Sequence, residues 1–185
     1  MGDEFIGYTT GDDMWSAIRI ISGDGTGVHG SILWDEYEGT TYAPYLFAGL
    51  AGADLNEDGI KELVTIVRSE TDADTCYVGL YEVGLYGDIV LNAVSSDTIS
   101  CNSHSPALGD IDGDGDTDIL LGSRVYDHDL NLVNPEASGG RGWFTGYWNS
   151  GYHSFAYDMD GDGTNMEIVA GSTVYNNDGS VFCNI

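Results

Sequence analysis

The chain has 185 residues, of which 42% are hydrophobic, and its 31 acidic and 5 basic residues give a formal net charge of −26. This hydrophobic content suffices for one domain or a short array of repeats, and it excludes a disordered acidic tail. The negative field repels phosphate groups and anionic lipids, so it argues against nucleic-acid binding and membrane association and favours a cationic partner. No apolar run approaches the roughly 18 residues that read as a membrane-spanning helix.

The first predicted elements are two strands, at residues 14–21 and 30–34, separated by a glycine-rich turn at 22–27. The same two-strand pattern recurs at 77–83 with 88–92, at 124–126 with 130–133, and at 173–175 with 180–183. The last pair is joined by Asn-Asn-Asp-Gly at 176–179, residue types that tolerate the positive φ of a tight hairpin turn. Because no long segment keeps a helical period of 3.6 residues, the sequence predicts an all-β fold.

An acidic loop precedes three of these strand pairs. The loops begin at Asp54, Asp110 and Asp158, so they recur with a period of roughly 50 residues. Residues 109–126 align with residues 157–175 through the loop, the next strand and a Gly-Ser turn, with one extra residue in the later copy. Such a period is typical of propeller blades and similar β repeats. We therefore predict one repeat domain over residues 1–185, with units at about 8–46 (degenerate), 47–102, 103–152 and 153–185.

The three acidic loops have the composition of calcium sites. Calcium binds six to eight hard oxygen atoms, and alternating acidic residues in a tight loop can converge on one ion. The predicted ligands of about three calcium ions are Asp54, Asn56, Asp58 and Glu62 with the carbonyl of Ile60 in the first loop; Asp110, Asp112, Asp114 and Asp118 with the carbonyl of Asp116 in the second; and Asp158, Asp160, Asp162 and Glu167 with the carbonyl of Thr164 in the third. The extra residue places Glu167 one position later than its counterparts.

The main alternative for such loops is an EF-hand, which needs a glutamate at position twelve and flanking helices. Position twelve is Thr65, Leu121 or Val169 here, so we reject the EF-hand and expect the acid near position nine to close each site. Magnesium is disfavoured because it retains its water and demands a tighter octahedron. Metal-free acidic turns are also disfavoured, because the three copies recur in phase and crowded carboxylates repel one another without a cation.

The segments that begin at Ala53, Gly109 and Tyr157, with the tails at 122–127 and 171–176, resemble the FG-GAP/VCBS repeats of integrin-type β-propellers and secreted bacterial proteins. The resemblance implies calcium held in a loop between blade strands, in a propeller or a propeller-like array. About four units would form a four-bladed closure, an open array or a fragment. An open array leaves edge strands unpaired, so neighbouring copies could pair with them and build a head-to-tail fibre.

We therefore expect an extracellular or cell-surface calcium-binding protein with a structural or adhesive role, which assembles with copies of itself into a filament. Residues 1–6 show neither the basic region nor the apolar segment of a signal peptide, so the chain is a mature secreted product or a cytosolic protein. We favour secretion, because millimolar extracellular calcium fills simple acidic loops that resting cytosol would leave empty.

The alternative function is a carbohydrate-binding or accessory domain of a secreted polysaccharide-active enzyme. It depends on an aromatic, glycine-rich segment at residues 139–148. Trp143, Trp148 and Tyr152 could stack on sugar rings, or they could pack between blades. The sequence contains no nucleophile elbow, zinc-protease helix or phosphate-binding loop, so we expect that the chain itself is not an enzyme.

The three cysteines, Cys76, Cys101 and Cys183, leave two interpretations open. All three could be buried thiols, which behave as small hydrophobic side chains. Alternatively, Cys76 and Cys101 could form a disulfide, which would leave Cys183 free or paired with another chain.

Overall fold

The computed structural model of the chain describes residues 5–10, 16–21, 27–33, 42–45, 48–69, 71–72, 74–84, 88–101, 104–134 and 152–184. Within these ranges, all regular secondary structure is β-strand. The strands are β1 (Phe5–Thr10), β2 (Ser16–Ile21), β3 (Val28–Leu33), β4 (Tyr42–Pro44), β5 (Leu50–Ala53), β6 (Lys61–Ser69), β7 (Thr75–Val83), β8 (Ile89–Val94), β9 (Ile99–Ser100), β10 (His104–Ser105), β11 (Ala107–Gly109), β12 (Asp118–Leu121), β13 (Arg124–Tyr126), β14 (Tyr152–Tyr157), β15 (Glu167–Ala170), β16 (Thr173–Tyr175) and β17 (Val181–Asn184).

Hydrogen bonds arrange the described strands in four sheets that follow one another along the chain. The first sheet contains β1–β3, the second β4–β9, the third β11–β13, and the fourth β10 with β14–β17. All pairs of described strands are antiparallel except β10 with β14, which is parallel. The arrangement confirms the predicted all-β class and is consistent with a β-propeller-like fold.

Three of the four core clusters lie between consecutive sheets, and we call them the first, second and third junctions; the fourth contains Ala48, Ile66 and Cys76. The first junction joins the first two sheets through Ile18, Ala43, Leu63, Val67 and Tyr81. The second joins the second and third sheets through Leu55, Val64, Val78, Leu80, Ile119, Leu121, Tyr126 and Leu130. The third joins the third and fourth sheets through Ile111, Leu120, Val125, Ile168, Ala170 and Tyr175.

Strand β6 shows why the sequence patterns fit this stacking of sheets. Successive side chains of a strand point to opposite faces of the sheet. In β6, Leu63 and Val67 contact the first junction, whereas Val64 contacts the second. A strand that is buried on both faces needs a nearly continuous apolar run, which is what the segment after the first acidic loop provides.

One buried tyrosine recurs at the same place in each junction. Tyr81, Tyr126 and Tyr175 are each at most 3% exposed, and each contacts the preceding sheet. Their partners across the strand ladder are the residues that follow the last acid of each loop. The pairs are Tyr81 with Leu63, Tyr126 with Ile119, and Tyr175 with Ile168. The sequence repeat is therefore also a repeat of packing, since a tyrosine buries a large apolar area in each copy.

The predicted strands are largely present, with shifted ends and one clear error. The predicted strand at 130–133 is only an isolated bridge between Tyr126 and Leu132. The physical reason is that Leu130 adopts a φ of 65°, a left-handed conformation that interrupts an extended strand. The first strand, β1, was not among the predicted elements.

The cysteines adopt the second of the two predicted arrangements. Cys76 and Cys101 form a disulfide with a Cα–Cα distance of 5.1 Å, which ties β7 to the residue after β9. Cys183 is a free, exposed cysteine on β17. The alternative of three buried thiols is therefore excluded.

Candidate metal centres

Each acidic loop connects two neighbouring antiparallel strands, so each is the turn of a β-hairpin. The first loop (54–62) joins β5 to β6, the second (110–118) joins β11 to β12, and the third (158–167) joins β14 to β15. Strands, not helices, flank the loops, in agreement with the rejection of an EF-hand.

The last acid of each loop is buried and holds the start of the same loop. Glu62, Asp118 and Glu167 are 3–5% exposed. Each carboxylate accepts a hydrogen bond from the N–H of the second loop residue. These bonds are Leu55 N–H to Glu62 Oε2 at 2.7 Å, Ile111 N–H to Asp118 Oδ2 at 2.9 Å, and Met159 N–H to Glu167 Oε2 at 2.7 Å. Glu167 therefore lies in the same structural position as its two counterparts, and we call all three the closing acids.

The first acid of each loop organises the glycine turn. Asp54, Asp110 and Asp158 each accept a hydrogen bond at 3.1 Å from the N–H of the glycine five residues later. These glycines are Gly59, Gly115 and Gly163, with φ values of 89°, 101° and 72°. Only glycine adopts such values without strain, which explains the Asp-Gly spacing in the sequence. The same frame of side-chain to backbone bonds thus recurs in all three loops.

Carboxylate oxygens converge in two of the loops. The oxygens of Asp110, Asp112 and Asp114 lie within 4.8 Å of one another, and so do those of Asp158, Asp160 and Glu167. Both groups could hold a metal ion, since oxygen atoms are the donors that calcium and magnesium prefer. Asp162 lies outside the second group, and its Oδ1 accepts hydrogen bonds from the backbone N–H and the hydroxyl of Thr164 at 2.8 Å.

The first loop has a different feature that suits a cation. Asn56 stands where the other loops have an aspartate, so the amide oxygen would replace one carboxylate there. Asp54 Oδ1 is buried and has no hydrogen-bond partner. A buried, unpaired carboxylate oxygen is unfavourable, and a bound cation would satisfy it. The donor set of this loop therefore fits a calcium ion.

Burial disfavours the charged form of two closing acids. Burial, together with the negative charges of Asp112 and Asp114, raises the pKa of Asp118 to about 6, although the hydrogen bond from Ile111 lowers it. Burial likewise raises the pKa of Glu62. Without a bound cation, protonation of Asp118 favours the folded state, because the buried carboxyl group is then neutral. This stabilisation of the folded state is complete below pH 3.8, the pKa in the unfolded chain, and is lost as the pH rises through about 6. A bound cation would favour the carboxylate and so offset the cost of burying its charge.

The second and third loops contact each other across the third junction. Met166 N–H donates a hydrogen bond of 2.9 Å to the carbonyl of Ile111. Gly113 lies so close to the carbonyl oxygen of Thr164 that a side chain at this position would collide with it. The extra residue of the third loop lies in this segment, because three residues separate Gly163 from Glu167 where two separate Gly115 from Asp118. The insertion therefore lies at the contact with the neighbouring loop.

Sequence reasoning identified the acids of all three loops but missed the contact between the loops. The sequence signal for it was the extra residue before Glu167, which looked like a weakness of the third site. The predicted carbonyl ligands Ile60, Asp116 and Thr164 stay predictions, and the carbonyl of Thr164 lies next to Gly113 of the second loop. Among the aromatic candidates, Trp143 and Trp148 lie outside the described residues. Tyr152 begins β14 and pairs with β10, and the sugar-binding surface stays a prediction.

Comparison with known proteins agrees with the repeat. The family model of the FG-GAP repeat matches residues 103–144. The chain is similar to the crystal structure of the V. cholerae biofilm matrix protein Bap1, with 25% sequence identity and a TM-score of 0.64. The similarity covers 98% of this chain but only 26% of Bap1.

No curated protein matches the sequence. Within the described ranges there is no helix long and apolar enough to cross a membrane. Residues 103–144, which contain the second acidic loop, match the FG-GAP repeat, so this part of the chain is similar to that family.

Proposed function

We propose that this chain is an extracellular, calcium-binding repeat protein with a structural or adhesive role, which assembles with copies of itself head-to-tail into a filament. The observation that carries the proposal is the hydrogen-bond frame shared by the three loops. In each loop, a buried closing acid and the first aspartate hold the backbone in one conformation. Such a fixed backbone, with carboxylate oxygens that converge in the second and third loops, suits calcium, which binds several oxygen atoms.

Calcium is the cation that best fits the chemistry of the loops. The candidate ligands are carboxylate, amide and carbonyl oxygens, and calcium accepts six to eight of them in flexible geometry. The buried Asp54 Oδ1 and the raised pKa of Asp118 both favour a positive charge. The whole chain carries a formal charge of −26, so three divalent ions would also lower the repulsion within the compact state.

The role proposed for calcium is structural. In each loop the ion would join the first acids to the closing acid at the start of the next strand, and so hold the hairpin together. Ion binding is then linked to folding, because the unfolded chain has no preformed site. The chain itself would be non-catalytic, and its four described sheets would be blades of a propeller-like array.

Three observations support an extracellular location. The similar structure is that of a biofilm matrix protein. The Cys76–Cys101 disulfide suits an oxidising compartment. Finally, millimolar calcium outside cells is sufficient for loops of ordinary affinity.

The proposal is tested by calorimetric titration of calcium into the chelator-treated chain, together with thermal unfolding. We expect about three bound ions and a melting temperature that rises with calcium, since a ligand that binds only the folded state stabilises it. Asp110→Asn should remove one site, because it weakens the group of three converging carboxylates.

The matched control is Asp129→Asn, which removes an aspartate with a 75% exposed side chain outside the three loops. This variant should keep all the ions. Absence of binding heat, together with a melting temperature that millimolar calcium leaves unchanged, would refute the calcium function.

A further inference from the structure

We propose that the second and third acidic loops bind calcium as a coupled pair, in which an ion at one loop strengthens binding at the other. The first loop, by contrast, binds its ion independently of the other two. The inference rests on the proposed function, because it concerns how the same candidate calcium sites affect one another. It follows from the contacts that each loop makes with the next loop along the chain.

One residue of the second loop is hydrogen-bonded to both loops. Ile111 donates its N–H to the closing acid Asp118 at 2.9 Å, so it is fixed within its own loop. The carbonyl of Ile111 accepts a hydrogen bond of 2.9 Å from the N–H of Met166, which belongs to the third loop. Met166 directly precedes Glu167, the closing acid of that loop. Two hydrogen bonds at Ile111 therefore link the closing acid of the second loop to the residue beside the closing acid of the third.

Two further contacts join the same segments. A Cβ atom built on Gly113 would collide with the carbonyl oxygen of Thr164, so the two backbones touch at this point. Met166 also packs against the third junction, which contains Ile111. Residues 164–166 of the third loop therefore lie against residues 111–113 of the second through a hydrogen bond, a backbone contact and apolar packing.

Both contacting segments adjoin converging carboxylates. Ile111 and Gly113 alternate in sequence with the three acids of the carboxylate group in the second loop. Residues 164–166 lead directly into Glu167, which belongs to the carboxylate group of the third loop. An ion at the second loop would therefore fix the residues against which the third loop rests, and an ion at the third loop would fix their partners.

The coupling is expected to be positive, because the contacting segments need to be ordered only once. Ordering a flexible backbone costs conformational entropy. A first ion that orders residues 111–113 gives residues 164–166 a fixed partner, so the second ion has less ordering left to impose. Repulsion between the two cations opposes this effect, but carboxylates surround each ion and salt screens exposed charges. We therefore expect the ordering effect to be the larger one at physiological salt.

The first loop does not make these contacts with the loop that follows it. Residues 54–62 and 110–118 are all described, and no backbone hydrogen bond joins the one loop to the other. The residue equivalent to Gly113 is Glu57, which also has a positive φ, of 58°, and is exposed. A full side chain thus fits in the first loop where the second loop needs glycine. The three loops therefore divide into a connected pair and a separate site.

An NMR titration of the whole chain with calcium, at about 0.15 M salt, measures binding at each loop separately. The reporters are backbone amides that are bonded to the closing acid of their own loop, namely those of Leu55, Ile111 and Met159. Asp158→Asn should weaken calcium binding at the second loop about fivefold or more. Asp110→Asn should weaken binding at the third loop by the same factor, because coupling between two sites is reciprocal. Binding at the first loop is the internal control and should be unchanged in both variants.

Two glycine variants show whether the coupling passes through the contact between the loops. Gly113→Ala should reduce the coupling factor to about one, because the added methyl group collides with the carbonyl of Thr164. Gly161→Ala is the matched control, since Gly161 has a φ of 74° compared with 79° at Gly113, but a side chain there meets nothing within 4 Å. The control should keep the coupling. Each factor compares affinities within one variant background, so a changed affinity of a single loop does not alter it.

Deletion of Asn165 guards against loss of folding in Gly113→Ala. It shortens the segment that touches the second loop, so it should also reduce the coupling factor to about one. Independent calcium affinities at the second and third loops would overturn the inference while leaving the calcium function intact. An ion that weakens binding at the other loop, or coupling that survives both Gly113→Ala and the deletion, would also overturn it. Failure of all three loops to bind calcium would instead refute the proposed function.

Discussion

The second and third acidic loops have the same internal hydrogen bonds but different surroundings. In both, the first aspartate holds the glycine turn and the closing acid holds the second residue. In the second loop that residue is buried under the fourth sheet, and in the third loop it is 47% exposed. The difference shows that the local sequence sets the loop conformation, whereas the neighbouring sheet decides how much stability a given side chain contributes.

We expect the largest difference in stability between the two loops when their second residues are substituted. Ile111→Ala should lower the free energy of unfolding by about 2–5 kcal/mol, because it leaves a cavity in the third junction. Met159→Ala should change it by less than about 0.5 kcal/mol, since it truncates a largely exposed side chain. Urea unfolding of both variants in calcium measures the two values. Equal effects would show that the side chain of Met159 is covered in solution.

Substitution of the glycine at the fourth position of each loop should give a smaller difference in stability. Alanine at Gly113 or Gly161 meets the same strain from a positive φ, on the order of 1 kcal/mol. Only at Gly113 would it also collide with the carbonyl of Thr164, which should add about 1–3 kcal/mol. Thermal unfolding of the two variants checks the order. A larger loss for Gly161→Ala would contradict the contact between the loops.

Deletion of Asn165 should have a smaller effect. The deletion gives the third loop the length of the second, and we expect it to remove the hydrogen bond from Met166 to Ile111. The loss of stability should be about 0.5–1.5 kcal/mol, as for one hydrogen bond. Hydrogen exchange of the Met166 amide measures the loss directly. Unchanged protection would show that the insertion is not needed for the contact.

We expect the same loss of calcium when the first aspartate of either loop is substituted. Asp110→Asn and Asp158→Asn remove equivalent carboxylates, each of which accepts two backbone hydrogen bonds from loop glycines. Each variant should therefore lose calcium at its own loop to a similar extent, and calorimetric titration measures this. If only one of them lowers the number of bound ions, the two loops are not equivalent metal sites.

The sequence was most informative where the structure is local. The spacing of aspartates and glycines predicted the hairpin loops, and the acid near position nine predicted the closing acids Glu62 and Asp118. For Glu167, counting positions from the start of the loop was misleading. The strand register, in which Glu167 pairs with Tyr157 as Asp118 pairs with Gly109, removes the ambiguity.

Two kinds of feature could not be predicted. They are an unusual local backbone conformation and the contacts between distant parts of the chain. Leu130 takes a positive φ although leucine rarely does, so the segment 130–133 looked like a strand. The disulfide depends on β7 and β9 being neighbours in the second sheet, which the cysteine spacing alone does not show. The 47% exposure of Met159 depends on which sheets pack against it, and an apolar residue in the sequence does not show whether it is covered.

The Cys76–Cys101 disulfide has a mechanical consequence whenever a pulling force acts on the two ends of the chain. Its two cysteines are 25 residues apart, and they enclose all of β8, all of β9 and most of β7. A fully extended chain spans about 3.4 Å per residue. The disulfide therefore prevents a pulling force from extending about 85 Å of the chain. If force unfolded the second sheet, this segment would remain a closed loop and limit how far the chain could stretch.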